Sequence, residues 1–275
     1  MKPIIFSRKS FRNYVMALGA WLALGMIAAS TQAAELIAVP TRPGVTQNIY
    51  IDVAPDAAPP SWVVLLFAGD DGLLALDEQG PQRMRGNFVI RTRNYWARAG
   101  MAPVAFDAPS DYARGMDDSF RLSAEHVQDV AAAVALLRKQ YPQAHIALVG
   151  TSRGSISVGN VLRQQPQLAD AYVLTSPVTV AGRGGPGLSG VSWTKSAARV
   201  LVVSNHGDDC PVSPLWAAQK MAETNGFDFI AVSSDAGDTR MPGACGAHSP
   251  HGYLGIEQSV LDQINGWLRG TPAPS

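Results

Sequence analysis

His145-Ile-Ala-Leu-Val149 runs without a break into Gly150-Thr151-Ser152-Arg153-Gly154. The first stretch is short and apolar, the pattern of a buried strand. The second has the G-x-S-x-G spacing of a strand–turn–helix that presents its serine at the sharpest point of the turn. Such a turn needs its glycines. Side chains at 150 and 154 would collide with neighbouring backbone, while the serine hydroxyl is pushed clear of the sheet edge. The pentapeptide alone is a weak signal, since chance matches are common. Two features downstream strengthen it: an acid after a later strand, and a histidine before the last helix.

Outward from that turn, strands alternate with helices. Ser61-Trp-Val-Val-Leu-Leu-Phe67 is a continuous apolar run, as expected of a strand buried on both faces of a parallel sheet, and it ends in the loop Ala68-Gly-Asp-Asp-Gly72. Residues 87–99 are periodic and predict a helix broken by Gly100, and residues 101–106 predict a strand ending at Asp107-Ala-Pro-Ser-Asp111. Residues 122–140 predict an amphipathic helix capped by Ser123, with Val127, Val130, Ala131, Val134 and Leu137 on one face. A helix at about 154–165, strands at 171–175, 199–204 and 227–233, and a closing helix at 256–268 complete the series. Residues 35–60, with several prolines, predict an entry strand or hairpin. The pattern is that of one α/β domain over residues 34–275, its sheet mostly parallel and covered by helices on both faces. Five glycines between Gly182 and Gly190 predict a small lid-like loop at about 178–198.

The chain has 275 residues and a formal net charge of zero, an average that hides an asymmetry. Lys2, Arg8, Lys9 and Arg12 all precede the first acid, Glu35, and the apolar stretch 14–29 and Ser30-Thr-Gln-Ala-Ala34 follow them. A basic head, a short apolar core and small residues at a cleavage point predict a secretory signal peptide over residues 1–33, cut after Ala33 or Ala34. The alternative is a retained anchor, but the stretch is shorter than the roughly 20 apolar residues of a full span. Cleavage leaves 18 basic against 22 acidic residues, a net charge of −4. That balance excludes a strongly basic nucleic-acid-binding surface. No other stretch is long and apolar enough to span a bilayer, so the expectation is a soluble periplasmic or secreted protein. In that oxidising setting Cys210 and Cys245, the only two cysteines, predict a disulfide.

The elbow at 150–154, the loop His206-Gly-Asp-Asp-Cys-Pro-Val212 and Pro250-His-Gly-Tyr253 before the terminal helix resemble the α/β-hydrolase superfamily, over about residues 60–269. Asn87-Phe88 and Asp107-Ala-Pro-Ser-Asp111 add a softer resemblance to small exported bacterial hydrolases, which brings no substrate with it. The resemblance implies the α/β-hydrolase fold and a nucleophile, acid, histidine order along the chain. Ser152 is the implied nucleophile, inert until a base takes its proton.

Of five histidines, His126 lies inside a predicted helix, His145 at the far end of the nucleophile strand, and His206 beside the acid loop. His248 and His251 remain, and the resemblance favours His251, which precedes Gly252-Tyr253 and the last helix. For the acid it favours Asp209, three residues before Val212, over Asp208, although the glycine spacing departs from the usual form. A Cys210–Cys245 bridge would tie the acid loop to the histidine loop. The oxyanion donors implied are the backbone N–H groups of Arg153 and Asp70, with Gly69 allowing close approach. The loop acids Asp70, Asp71, Asp107, Asp111, Asp117 and Asp118 lack calcium-loop spacing, and no phosphate-loop or dinucleotide fingerprint is present. Of the tryptophans, Trp193 is the one expected to touch substrate. The expectation is a serine hydrolase cleaving small carboxylic esters through an acyl-enzyme, with no metal or organic cofactor. A peptidase or amidase with the same residues, or a silent binding protein on the same fold, are the alternatives. The oligomeric state stays open.

Overall fold

The computed structural model describes residues 34–53, 58–194, 198–237 and 243–270; the expected signal segment, 1–33, lies outside them. In chain order, β1 (Glu35–Arg42) and β2 (Val45–Ile51) form the expected entry hairpin, and β3 (Trp62–Phe67) follows. A two-residue pair, β4 (Leu76–Asp77) with β5 (Gly80–Pro81), precedes α1 (Phe88–Arg91), α2 (Arg93–Arg98) and β6 (Ala102–Phe106). Next come α3 (Asp118–Arg121), α4 (Ala124–Gln140), β7 (His145–Thr151), α5 (Gly154–Gln164) and β8 (Ala171–Thr175). The series closes with β9 (Arg199–Asn205), α6 (Leu215–Asn225), β10 (Asp228–Val232) and α7 (Glu257–Arg269).

Eight strands make one sheet in the order β1-β2-β6-β3-β7-β8-β9-β10. From β6 to β10 every pairing is parallel, and β1–β2 adds an antiparallel edge. Alternation along the strands feeds two apolar layers. Val63, Leu65 and Phe67 of β3 face the layer of α4, α5 and α6, whereas Trp62, Val64 and Leu66 face α1, α2 and α7. Leu65 and Leu66 are fully buried on opposite faces, each contributing about 1.5–3 kcal/mol of transfer free energy. β7 sits in the middle, flanked by β3 and β8, so its carboxyl end is the best supported point on the sheet edge.

Several expectations are revised. The helix foreseen over 87–99 is two short helices meeting at Thr92, whose Oγ1 donates to the Phe88 carbonyl at 2.7 Å. On α4, Ser123 does cap the helix by accepting from the His126 N–H. Its buried apolar face, however, uses Ala133, and Ala131 is only half-buried. α3, α6 and the β4–β5 pair were not foreseen. Trp193, expected to touch substrate, is turned to the helix layer instead: its Nε1 donates to the Gly159 carbonyl at 2.8 Å and its ring packs on Phe227. His126 is fully buried among Phe67, Phe106 and Phe120, and burial, aided by Arg121 and Arg42, pulls its pKa down to about 3. It is therefore a neutral core residue near pH 7. No helix among the described residues is long and apolar enough to cross a membrane.

Candidate active site

Ser152 follows β7 directly and has φ +51°, a conformation that a side-chain-bearing residue holds only when its surroundings enforce it. The enforcement is steric. A Cβ on Gly150 would strike the Gly154 carbonyl and Val158, and one on Gly154 would strike the Phe67 carbonyl of β3. Strand and helix can therefore close on each other only through two glycines. The Ser152 N–H donates to the Thr175 carbonyl at 3.0 Å, and its own carbonyl accepts from Ser155 N–H and Oγ. The serine side chain is left facing a cleft of about 620 Å3 at the sheet's carboxyl edge.

His251 lines the same cleft and is buried. Its segment is fastened to the ends of β8 and β9. Ser176 Oγ donates to the His251 carbonyl at 2.8 Å, Asn205 Nδ2 donates to the Pro250 carbonyl at 2.9 Å, and Tyr253 OH donates to the Val203 carbonyl at 2.9 Å. Burial pushes the pKa of the Tyr253 phenol well above its ordinary value, so this anchor stays protonated. His251 Nδ1 lies 2.8 Å from Asp208 Oδ2. With Nδ1–H given to the carboxylate, a neutral ring carries its lone pair on Nε2. That Nε2 is buried and has no hydrogen-bond partner among the described residues.

The carboxylate on the histidine belongs to Asp208, not to Asp209 as expected from the sequence. Asn205 turns the chain here: its Oδ1 accepts from the N–H groups of Gly207 and Ser234, and its carbonyl accepts from the Asp208 N–H at 3.1 Å. Asp208 is folded inward, and its Oδ1 accepts from the Cys210 N–H at 2.9 Å. Asp209 then points outward and is exposed. Neighbouring side chains in so tight a reversal cannot both face in. Cys210 and Cys245 are disulfide-bonded, with Cα atoms 4.7 Å apart, so the acid loop and the histidine loop are joined covalently. The Cys210 sulfur is thereby committed and offers no thiolate beside Asp208 and His251, the one Asp/Cys/His group of metal-ligand spacing among the described residues. His248, the other candidate, lies on the cleft rim with its ring against Gly86.

Asp70 and Arg153 flank Ser152 in the cleft, and neither backbone N–H donates to an acceptor among the described residues. Gly69 lets the loop approach, because a Cβ there would lie 2.9 Å from Ser152 Cβ. Of the two carboxylates of this loop, that of Asp71 is tied up, accepting from the Leu73 N–H and pairing with Arg83, and Asp70 is exposed. Met84, Phe88, Val178 and Val212 supply apolar wall, and Asn87 a polar group. Of the described residues of the foreseen lid-like segment only Val178 lines the cleft. Sequence reading ranked Asp208 behind Asp209 and did not single out Arg121 behind the Asp70 loop. The one available signal for Arg121 was a lone charge between the apolar residues Phe120 and Leu122.

No family model matches the chain, and no curated protein does. Solved structures do. An α/β serine hydrolase without lid from Xanthomonas campestris superposes with a TM-score of 0.58 at 17% identity, over 88% of this chain and 97% of that one. Est1E from Butyrivibrio proteoclasticus gives 0.59 at 14% identity, over 87% and 98%. Dipeptidyl peptidase 4 from Porphyromonas gingivalis gives 0.56 at 14% identity, over 87% of this chain but 35% of that larger one. At such identities the likeness is one of fold.

Proposed function

We propose that this chain, which has the α/β-hydrolase fold, is an exported serine hydrolase that cleaves small carboxylic esters. The observation that carries the reading is His251: its Nδ1 is on a buried carboxylate, and its unpartnered Nε2 shares a cleft with a strained Ser152. In this reading Ser152 Oγ attacks the ester carbonyl as His251 Nε2 takes its proton. Asp208 stabilises the imidazolium, and the amides of Arg153 and Asp70 receive the charge on the carbonyl oxygen. The imidazolium protonates the departing alcohol. Water then attacks the acyl-enzyme, giving its proton to the same nitrogen. Export is supported by the basic head and apolar core of residues 1–33 and by the Cys210–Cys245 bridge.

The test is hydrolysis of p-nitrophenyl acetate, butyrate and octanoate by the mature protein beside Ser152→Ala. Loss of the nucleophile should lower turnover by about 10⁶-fold. Equal activity in both proteins would refute the elbow assignment, and inactivity of both on every ester would refute the substrate class. A second reading, cleavage of amides, is favoured by the fold shared with a dipeptidyl peptidase. An ester and an anilide of the same acyl group separate the two. A silent binding protein on this fold would fail to react with a fluorophosphonate.

A further inference from the structure

We propose that the single helical turn α3 is a clamp that sets both oxyanion amides, Arg121 at its end holding the Asp70 loop and Asp118 at its start holding Arg153. The proposal rests on the serine-hydrolase reading of the same cleft. Arg121 is fully buried, a costly place for a guanidinium; its Nη1 and Nη2 are used, while its Nε has no partner among the described residues. None of its hydrogen bonds goes to a carboxylate. Its Nη1 donates to Ser157 Oγ at 2.9 Å, and its Nη2 to the carbonyls of Asp70 at 3.1 Å and Ala68 at 3.4 Å. Burial, then the nearby Arg153 charge, lower its pKa to about 10, which leaves it cationic at neutral pH.

The two carbonyls are informative because of where they lie in the backbone. Those of Ala68 and Asp70 belong to the peptide units on either side of the 69–70 unit, and that middle unit carries the Asp70 N–H. One guanidinium therefore brackets the donor. Asp70 has φ +44°, a strained conformation for a residue with a Cβ, which persists only when neighbours over-determine it. Gly72 leaves room for the grip: a Cβ there would meet Arg121 Nη2 and Met116.

The other end of the turn reaches the residue after the serine. Asp118 is nearly buried and takes Arg153 Nε at 2.7 Å, with Arg153 Nη2 also in contact, while its second oxygen accepts from the Gly187 N–H at 3.0 Å. Arg153 Nη2 donates to the Gly184 carbonyl at 2.9 Å. Residues 118 and 121 stand three apart on a helix and so project to the same side. One rigid turn thus fixes both loops that flank the serine. It holds their amides at a set separation before substrate arrives, the condition for electrostatic preorganisation. Arg121 and Asp118 are positioning residues, acting through the backbone of Asp70 and Arg153.

The experiment compares Arg121→Met, Arg121→Lys and Asp118→Asn with the wild type. It measures ester turnover per fluorophosphonate-titrated site, affinity for a trifluoromethyl ketone, melting temperature, and amide hydrogen exchange over 68–73 and 150–156. For Arg121→Met, kcat per site should fall about 100-fold, as for loss of one oxyanion donor. KM should stay within about threefold, since the loss is felt in the transition state. Ketone affinity should fall in parallel with kcat/KM, exchange over 68–73 should rise, and Arg121→Lys should recover part of each. Asp118→Asn should raise exchange over 150–156 with a smaller loss of kcat. Unchanged kcat per site with only a lowered melting temperature would overturn the clamp. If Ser152→Ala hydrolyses esters as well as the wild type, the esterase reading falls instead, and unchanged exchange in both segments would then overturn the clamp independently.

Discussion

The two halves of the cleft are held in place by different means. The elbow is fixed by contacts within a few residues or on the next strand: Gly150 against Gly154, and Gly154 against the Phe67 carbonyl. The acid and the histidine stand 43 residues apart and meet through hydrogen bonds to the ends of β8 and β9 and through a disulfide spanning 35 residues. Steric exclusion around a missing Cβ belongs to a pentapeptide and the strand beside it. A turn that sends one of two adjacent aspartates inward belongs to the whole sheet edge.

The sharpest way to break that contrast is at the two aspartates. Asp208→Asn should lower kcat by about 10⁴-fold, because the wrong imidazole tautomer is then favoured, whereas Asp209→Asn should leave kcat near the wild-type value. The opposite ranking would mean that the acid loop rearranges when substrate binds. Next in size is the staple. Replacing both Cys210 and Cys245 by serine should cost about 3–4 kcal/mol of stability from the released loop, read from urea unfolding. Ester turnover should fall with it as the acid and histidine loops lose register. The smallest disturbance of the acid and histidine loops is expected from a change at the elbow. Gly154→Ala should cost at least about 1–3 kcal/mol through overpacking and should lower the burst of acyl-enzyme formation, with the His251–Asp208 pair intact by the proton resonance of the ring Nδ1–H.

What was legible in the sequence follows the same division. The apolar runs at 61–67, 145–149, 171–175 and 199–204 match strands because a strand buried on both faces must be apolar throughout. α4 was legible from its cap and its periodic face. α6 was not, since the residues it fully buries are only Ala218 and Ala222, too small to mark a stripe. α3 was hidden by its length of four residues, and its weight lies in two charged side chains whose partners are 35 or more residues away or on a distant loop. Ser152 and His251, singled out from the sequence, lie in one cleft, and the two cysteines are paired. Of the two adjacent aspartates the favoured one faces out, because a hydrogen-bonded turn around Asn205, invisible to spacing, decides which faces in.

The covalent tie between residues 210 and 245 also orders events in time. A ribosome makes the serine first, on a half-finished sheet, and the histidine nearly last, just ahead of the closing helix. Under the proposed reading, a chain whose two sulfurs are still reduced holds its acid and histidine together by hydrogen bonds alone, so oxidation is the last step that tightens the pair rather than the one that brings it together.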